Sequence, residues 1–153
     1  MKKFELTTDT KMFLGKKLFR IKALISFGNV KAGDMGGYIE KEENLSQSGN
    51  AWVYGDARVY GNAWVYGNAW VYGDAEVSGN ADYATASGFG SEYRTTTFFK
   101  LKNSDEIGVR CGCFYGTLKE FKEKVKETHG ETKKAKEYLM LADLMEYRFS
   151  EEK

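Results

Sequence analysis

The residues best equipped for chemistry are few: one histidine, His129, and two cysteines, Cys111 and Cys113. A histidine can act as a general base, and a Cys-x-Cys pair can offer two thiolates to a metal. Neither has the company that such work needs. His129 ends a polar helical stretch, Lys126-Glu127-Thr128-His129-Gly130, where an imidazole complements the helix dipole without any further task. Cys111 and Cys113 fall on one face of an extended strand, and no second ligand pair completes a tetrahedral zinc set. They read as packed core in a reducing compartment. The sequence therefore predicts no enzyme, no metal and no cofactor. What it has in abundance is aromatic surface, with ten Tyr, ten Phe and three Trp.

Much of that aromatic content recurs on a fixed beat. From Asn50 to Thr85 the chain reads as six hexapeptides without insertion, most of the form Asn/Asp-Ala-x-Val-Tyr-Gly. Repetition at so short a period points to a solenoid, and a six-residue period to a parallel β-helix. Residues two apart in a strand share a side. Ala51 and Val53, and their equivalents to Ala75 and Val77, point one way, and Trp52 and Tyr54 the other. A narrow coil has room inside only for the small and branched set, so the rings face outward. Gly-Asn and Gly-Asp pairs turn the corners, because both residue types tolerate left-handed backbone angles. The order small, variable, aliphatic, variable, Gly, Asn/Asp resembles the hexapeptide repeats of left-handed β-helix proteins. That resemblance implies the handedness and a triangular coil of three hexapeptides.

On that reading, repeats three apart stack at about 4.8 Å. Trp52 and Tyr54 lie under Trp70 and Tyr72, Arg58 under Glu76, Tyr60 under Ser78, and Trp64 and Tyr66 under Asp82 and Ala84. A bare panel of that many rings is unusual on a soluble monomer. The expected partner-binding residues are Trp52, Tyr54, Trp70 and Tyr72, then Tyr60, Trp64 and Tyr66, with Asp56, Asp74 and Asp82 as acidic support. The alternative for the first four is contact with the chain's own C-terminal helices or with a second copy.

Net charge is +1, which gives no global case for nucleic acid, but the charge is unevenly spread. Residues 1–36 hold eight Lys/Arg against three Asp/Glu, and residues 37–91 two against seven. A basic leading segment beside an acidic coil suggests docking within the molecule. Aromatic rings can stack the bases of single strands, yet an acidic coil repels phosphate, so direct nucleic-acid binding is not expected. Ice binding calls for a small hydroxyl lattice that Trp and Tyr ladders do not provide. No long apolar run follows Met1-Lys2-Lys3, so neither a secretory signal nor a membrane span is read, and a cytoplasmic location follows by default.

Three segments must then position the rings: 1–36 as an N-terminal β cap, 37–91 as the coil, and 92–153 as a C-terminal hairpin with two helices. In the first, Phe4–Leu6 reads as a short strand and Phe13–Phe19 as strand, basic turn, strand. The alternation over Leu18–Phe27 favours a half-buried strand. The loop Lys31–Gly37 is glycine-rich but lacks the Lys-Ser/Thr of a Walker loop. Asn44 and Leu45 begin a degenerate first turn, with Leu45 at the Ala position and Gln47 at the Val position. The flanking segments are expected to hide the open ends of the coil from aggregation.

After Thr85 the repeat dissolves. Thr95–Leu101 and Ile107–Phe114 form a hairpin around the turn Asn103-Ser104-Asp105. Thr117-Leu118-Lys119-Glu120 is a capping box opening one helix, with Gly130 as its stop. A second helix runs from Thr132 to Phe149. Its wide apolar arc places Ala135, Tyr138, Leu139, Ala142, Met145 and Phe149 on one stripe, and Leu141 and Leu144 on another flank that suits self-association.

Ile25-Ser26-Phe27-Gly28-Asn29-Val30, Gly33-Asp34-Met35-Gly36-Gly37-Tyr38-Ile39-Glu40-Lys41-Glu42-Glu43-Asn44-Leu45 and the Gly-Asn-Ala-x-Val-Tyr repeats together resemble small proteins of bacteriophage and prophage origin. So do Gly112–Thr117, Thr128-His129-Gly130 and Ala135-Lys136-Glu137-Tyr138. The resemblance implies a context more than a mechanism: an inhibitor of a host defence system, for example an anti-CRISPR, acting on a bacterial protein by binding. Alternatives are a structural homo-oligomer and a sponge for a nucleotide signal, held by aromatics and the Gly33–Gly37 backbone. Hexapeptide β-helix acyltransferases are also similar, but they place a His at an inter-subunit cleft, and no coil position here carries a base.

Overall fold

The structure, a computed structural model, describes residues 2–79, 82–89, 94–101, 106–111 and 114–150. Cys113 and the turn expected at Asn103–Asp105 lie outside the described residues.

The chain opens with a long antiparallel hairpin, β1 (Phe4–Phe13) and β2 (Lys16–Ala23). Its tip is Leu14-Gly15, with φ of 50° and 78°. A two-residue turn with both φ positive matches the twist of the strands it joins. The turn expected at the lysines is therefore corrected: Lys16 and Lys17 are already in β2, and the first strand extends well beyond Leu6. β3 (Met35–Ile39) pairs antiparallel with β2 and then, on its other edge, parallel with β5 (Arg58–Val59), to which β7 (Glu76–Val77) adds. One face of the coil thus continues the N-terminal sheet. A second face is the parallel pair β4 (Trp52–Val53) and β6 (Trp70–Val71). A third carries the parallel bridge Leu45–Val65.

Trp52 pairs with Trp70, and Arg58 with Glu76, each three hexapeptides on, as the spacing predicts. The Ala and Val of every hexapeptide from Ala51 to Val77 are buried and fill one continuous core. Each such Val contributes about 1.5–3 kcal/mol by leaving water. The corner glycines Gly55, Gly61, Gly67 and Gly73 have φ between 64° and 69°, where a Cβ is penalised.

Two sequence expectations about the ends of the coil are corrected. Leu45 stands over Val65, hence at a Val rather than an Ala position. The irregular first rung is held by Asn44, which is wholly buried. Its Nδ2 donates to the carbonyls of Gly61 (3.2 Å) and Ala63 (2.8 Å), and its Oδ1 accepts from the Lys41 N–H (3.0 Å). The side chain thereby meets backbone groups that a buried irregular rung would otherwise orphan. At the other end, the described residues of the sixth hexapeptide do not continue the coil. Tyr83, Ala84 and Thr85 belong to β8 (Tyr83–Phe89), which pairs antiparallel with β9 (Arg94–Lys100).

β10 (Ile107–Cys111) and β11 (Phe114–Thr117) complete an antiparallel sheet in the order β11-β10-β9-β8. The expected hairpin is thus the centre of a four-stranded sheet. This sheet lies against the last rung, where Ala75 bridges Leu101 and the Trp70 N–H donates to Thr97 Oγ1 at 3.0 Å. Tyr83 and Phe99 enter the core of the coil. On the opposite face of the sheet pack α1 (Leu118–His129) and α2 (Lys133–Phe149), around Phe98, Val109, Phe121, Tyr138 and Met145. Thr117 and Glu120 form the expected capping box on α1, and Thr132 caps α2. Among the described residues no helix is long and apolar enough to cross a membrane.

Candidate functional site: the aromatic faces of the coil

Three hexapeptides have the identical sequence Asn-Ala-Trp-Val-Tyr-Gly, yet their rings have different fates. On the face of β4 and β6, Trp52 is fully buried, meeting Phe27 edge-on at 5.3 Å. It is removed from the surface expected of it, because the loop between β2 and β3 folds over it. Trp70 is half-buried, with its Nε1 donating to the Asn50 carbonyl at 3.2 Å. The Arg110 guanidinium lies over the Trp70 ring at 5.0 Å and 5.7 Å from the centre of Tyr72. Tyr72 stacks on Tyr54 at 4.9 Å and takes Tyr115 edge-on at 4.5 Å. The Tyr115 hydroxyl also accepts the Asp74 N–H at 3.3 Å. The cover on this panel comes from the C-terminal sheet, rather than the C-terminal helices.

The face of β5 and β7 is covered by the β1–β2 hairpin. Tyr60 is buried with Leu18 and Tyr38, and Phe13 meets its ring edge-on at 5.7 Å. Its hydroxyl donates to Glu76 at 3.3 Å. Burial, then the Glu76 charge, push the phenol pKa upward. Arg58 turns away to lie over Phe13 at 4.2 Å. Tyr60 is therefore interior to the molecule and is corrected as a surface residue.

The third face is open. Because β8 leaves the coil, Trp64 and Tyr66 have no ring of hexapeptide residues above them, which corrects their expected stacking under Asp82 and Ala84. Trp64 is 47% and Tyr66 52% exposed, and the two rings stack at 4.4 Å. The Tyr83 hydroxyl donates to the Trp64 carbonyl at 2.5 Å and anchors the pair from behind. Burial pushes that phenol up to about 12. Across from the rings runs α2, presenting Leu144 (56% exposed), Tyr147 (79% exposed) and Arg148. Between them lies a groove of about 1070 Å³, with the hydroxyls of Thr85, Ser87 and Thr95 on its wall.

The acidic residues divide. Asp56 and Asp74 are exposed on the coil. Asp82 is occupied within the molecule: it accepts from the Ser78 N–H and hydroxyl, each at 2.9 Å, and pairs with Lys100 at 3.3 Å. Burial alone would raise its pKa, but the Ser78 bonds and Lys100 outweigh it and hold the carboxyl below its ordinary value. Of the two leucines expected at an oligomer contact, Leu141 is buried in the helix–sheet core and only Leu144 faces outward. Tyr147, Arg110 and Tyr115 were not singled out from the sequence. Met140, Leu144 and Tyr147 are spaced as one exposed helical stripe, and that spacing was the signal for Tyr147. His129 stacks on Tyr138 at 6.2 Å, and Cys111 accepts from the Thr96 hydroxyl at 3.2 Å.

Two overlapping stretches, residues 51–67 and 57–73, match the YdcK β-solenoid repeat. The chain is therefore a mainly β protein with two helices that carries a β-solenoid repeat. No curated protein matches it.

Proposed function

We propose that this is a non-catalytic binding protein of phage origin, built on a left-handed, triangular coil and acting on a bacterial host protein. The observation that carries the reading is the groove in which Trp64 and Tyr66 face Leu144 and Tyr147 from a separate element. Exposed Trp and Tyr held rigidly beside an apolar helix stripe have the composition of binding hot spots. Asp56 and Asp74 add charge suited to a basic partner such as a nucleic-acid-binding defence effector, for example a CRISPR nuclease. Trp64→Asp and Tyr147→Asp should each abolish capture of one specific protein from a bacterial lysate while leaving thermal unfolding unchanged. Capture that is indifferent to both substitutions overturns the reading.

A second reading, self-association, is favoured by the stripe Met140, Leu144 and Tyr147, spaced for packing against a second helix. Sedimentation separates the two. A wild-type oligomer that becomes monomeric on Leu144→Asp supports assembly, and a wild-type monomer supports heterologous recognition.

A further inference from the structure

β8 is the last strand of the sheet β11-β10-β9-β8, and among the described residues no strand pairs with its outer edge. The coil packs on one face of that sheet and the helices on the other. The edge therefore runs along the groove, with Trp64 and Tyr66 on one side, Leu144 and Tyr147 on the other, and Thr85 and Ser87 between them.

The register shows which backbone groups face the groove. The Leu101 N–H donates to the Glu106 carbonyl at 3.4 Å, so Leu101, Phe99 and Thr97 turn their backbone groups toward β10. Phe98 and Thr96 then turn theirs toward β8, where they meet Ala84 and Ala86. Tyr83 and Thr85 are left with N–H and C=O aimed away from β9. The irregularity in this pairing falls beyond Ala86. Tyr83–Phe89 holds no charged residue and no proline, two of the devices that keep an edge from pairing.

We propose that the edge of β8 takes up an extended segment of a partner protein as a fifth strand of the sheet. The proposal rests on the groove being the contact surface and states what enters it. Backbone donors and acceptors in a row are complemented by another strand, and the walls receive its alternate side chains. One set meets the rings of Trp64 and Tyr66, and the other meets Leu144 and Tyr147. Among the described residues the one charged side chain lining the groove is the exposed Arg148. A carboxylate on the helix-facing side of the segment would complement it. The edge is recessed between two walls, so the incoming strand must arrive without flanking elements of its own. A second copy brings its β8 with a coil on one side and helices on the other, which favours a lone segment over self-pairing.

The test uses the full chain and a displayed library of random linear peptides, with the enriched peptides synthesised and their binding read by fluorescence anisotropy. Enriched peptides should be rich in β-branched and aromatic residues and carry an Asp or Glu. N-methylation of one peptide residue at a time should weaken binding by about tenfold at every second position and little in between, because alternate N–H groups face the edge. Thr85→Pro removes an outward N–H at an edge position where proline is tolerated, and should lose binding by about tenfold with thermal unfolding unchanged. Should that variant fail to fold, the methylation scan on the wild-type chain still decides. Binding lost in Trp64→Asp, with no alternation in the scan, overturns the strand and keeps the groove. Binding indifferent to Trp64→Asp overturns both. No enriched peptide, or a wild-type dimer that Thr85→Pro dissociates, also overturns the proposal.

Discussion

Phe98 and Phe99 are neighbours on β9, both are wholly buried, and they belong to different cores. Side chains alternate across a strand, so Phe99 enters the coil while Phe98 meets Phe121 edge-on at 6.3 Å beneath the helices. Replacing either by Ala should cost about 3–5 kcal/mol. The local signatures should differ. Hydrogen exchange ought to quicken in α1 and α2 for Phe98→Ala, and around β6 and β7 for Phe99→Ala. Identical exchange maps would contradict this division.

The three identical hexapeptides provide an internal control. Trp52→Ala removes a fully buried ring and should cost about 3–5 kcal/mol in urea unfolding. Trp64→Ala, on an exposed ring, should cost within about 1 kcal/mol. Equal losses would show that the open face is not open in solution.

Gly67 and Gly73 turn successive corners of the coil with nearly the same backbone, φ of 69° and 67°. A Cβ at Gly67 meets nothing, whereas one at Gly73 would overlap the Tyr115 hydroxyl and ring. Gly67→Ala should therefore cost only the backbone penalty, about 1–2 kcal/mol. Gly73→Ala should cost about 2–4 kcal/mol, because it also undocks Tyr115 from Tyr72. Tyrosine fluorescence and denaturant midpoints read both effects.

Lys3 is the buried cation of the molecule's N-terminal end. Its Nζ donates to the Ala51 carbonyl at 2.7 Å and sits over the Phe27 ring at 4.7 Å. Burial lowers its pKa from 10.5 to about 8. Between those values the unfolded chain holds a proton that the native chain has lost, so stability rises with pH. The gain from about pH 8 to about pH 10 should be on the order of 2 kcal/mol and should vanish in Lys3→Met. Above pH 10 the trend is opposed by Tyr83, whose buried phenol stays protonated up to about 12 while its unfolded counterpart ionises. A flat or falling wild-type profile between pH 8 and 10 would contradict the assignment to Lys3.

The repeat made the interior of the coil legible, because Ala and Val alternate with rings at a spacing only one stack can satisfy. It could not reveal which rings stay wet. Trp52, Trp64 and Trp70 have the same neighbours in sequence, and their burial is decided by Phe27, by the departure of β8 and by Arg110, all remote along the chain. The sixth hexapeptide misled for a related reason. Asn80-Ala81-Asp82-Tyr83 keeps the phase of the repeat, but Tyr83 pairs with Phe99, and a long strand partner outweighs one more two-residue rung. The helices were easier to read, since Thr117 and Glu120 act locally.

The register also restricts how such a chain can change length. Trp52 meets Trp70, and Arg58 meets Glu76, at a separation of three hexapeptides. Loss or duplication of a single hexapeptide would bring each rung opposite the wrong neighbour and hand Phe27, Phe13 and Arg110 a foreign panel. A whole set of three could be spliced in or out with every lateral contact preserved, lengthening or shortening the distance between the two flanking sheets in steps of about 4.8 Å. The molecule has, in effect, a ruler with one permitted graduation.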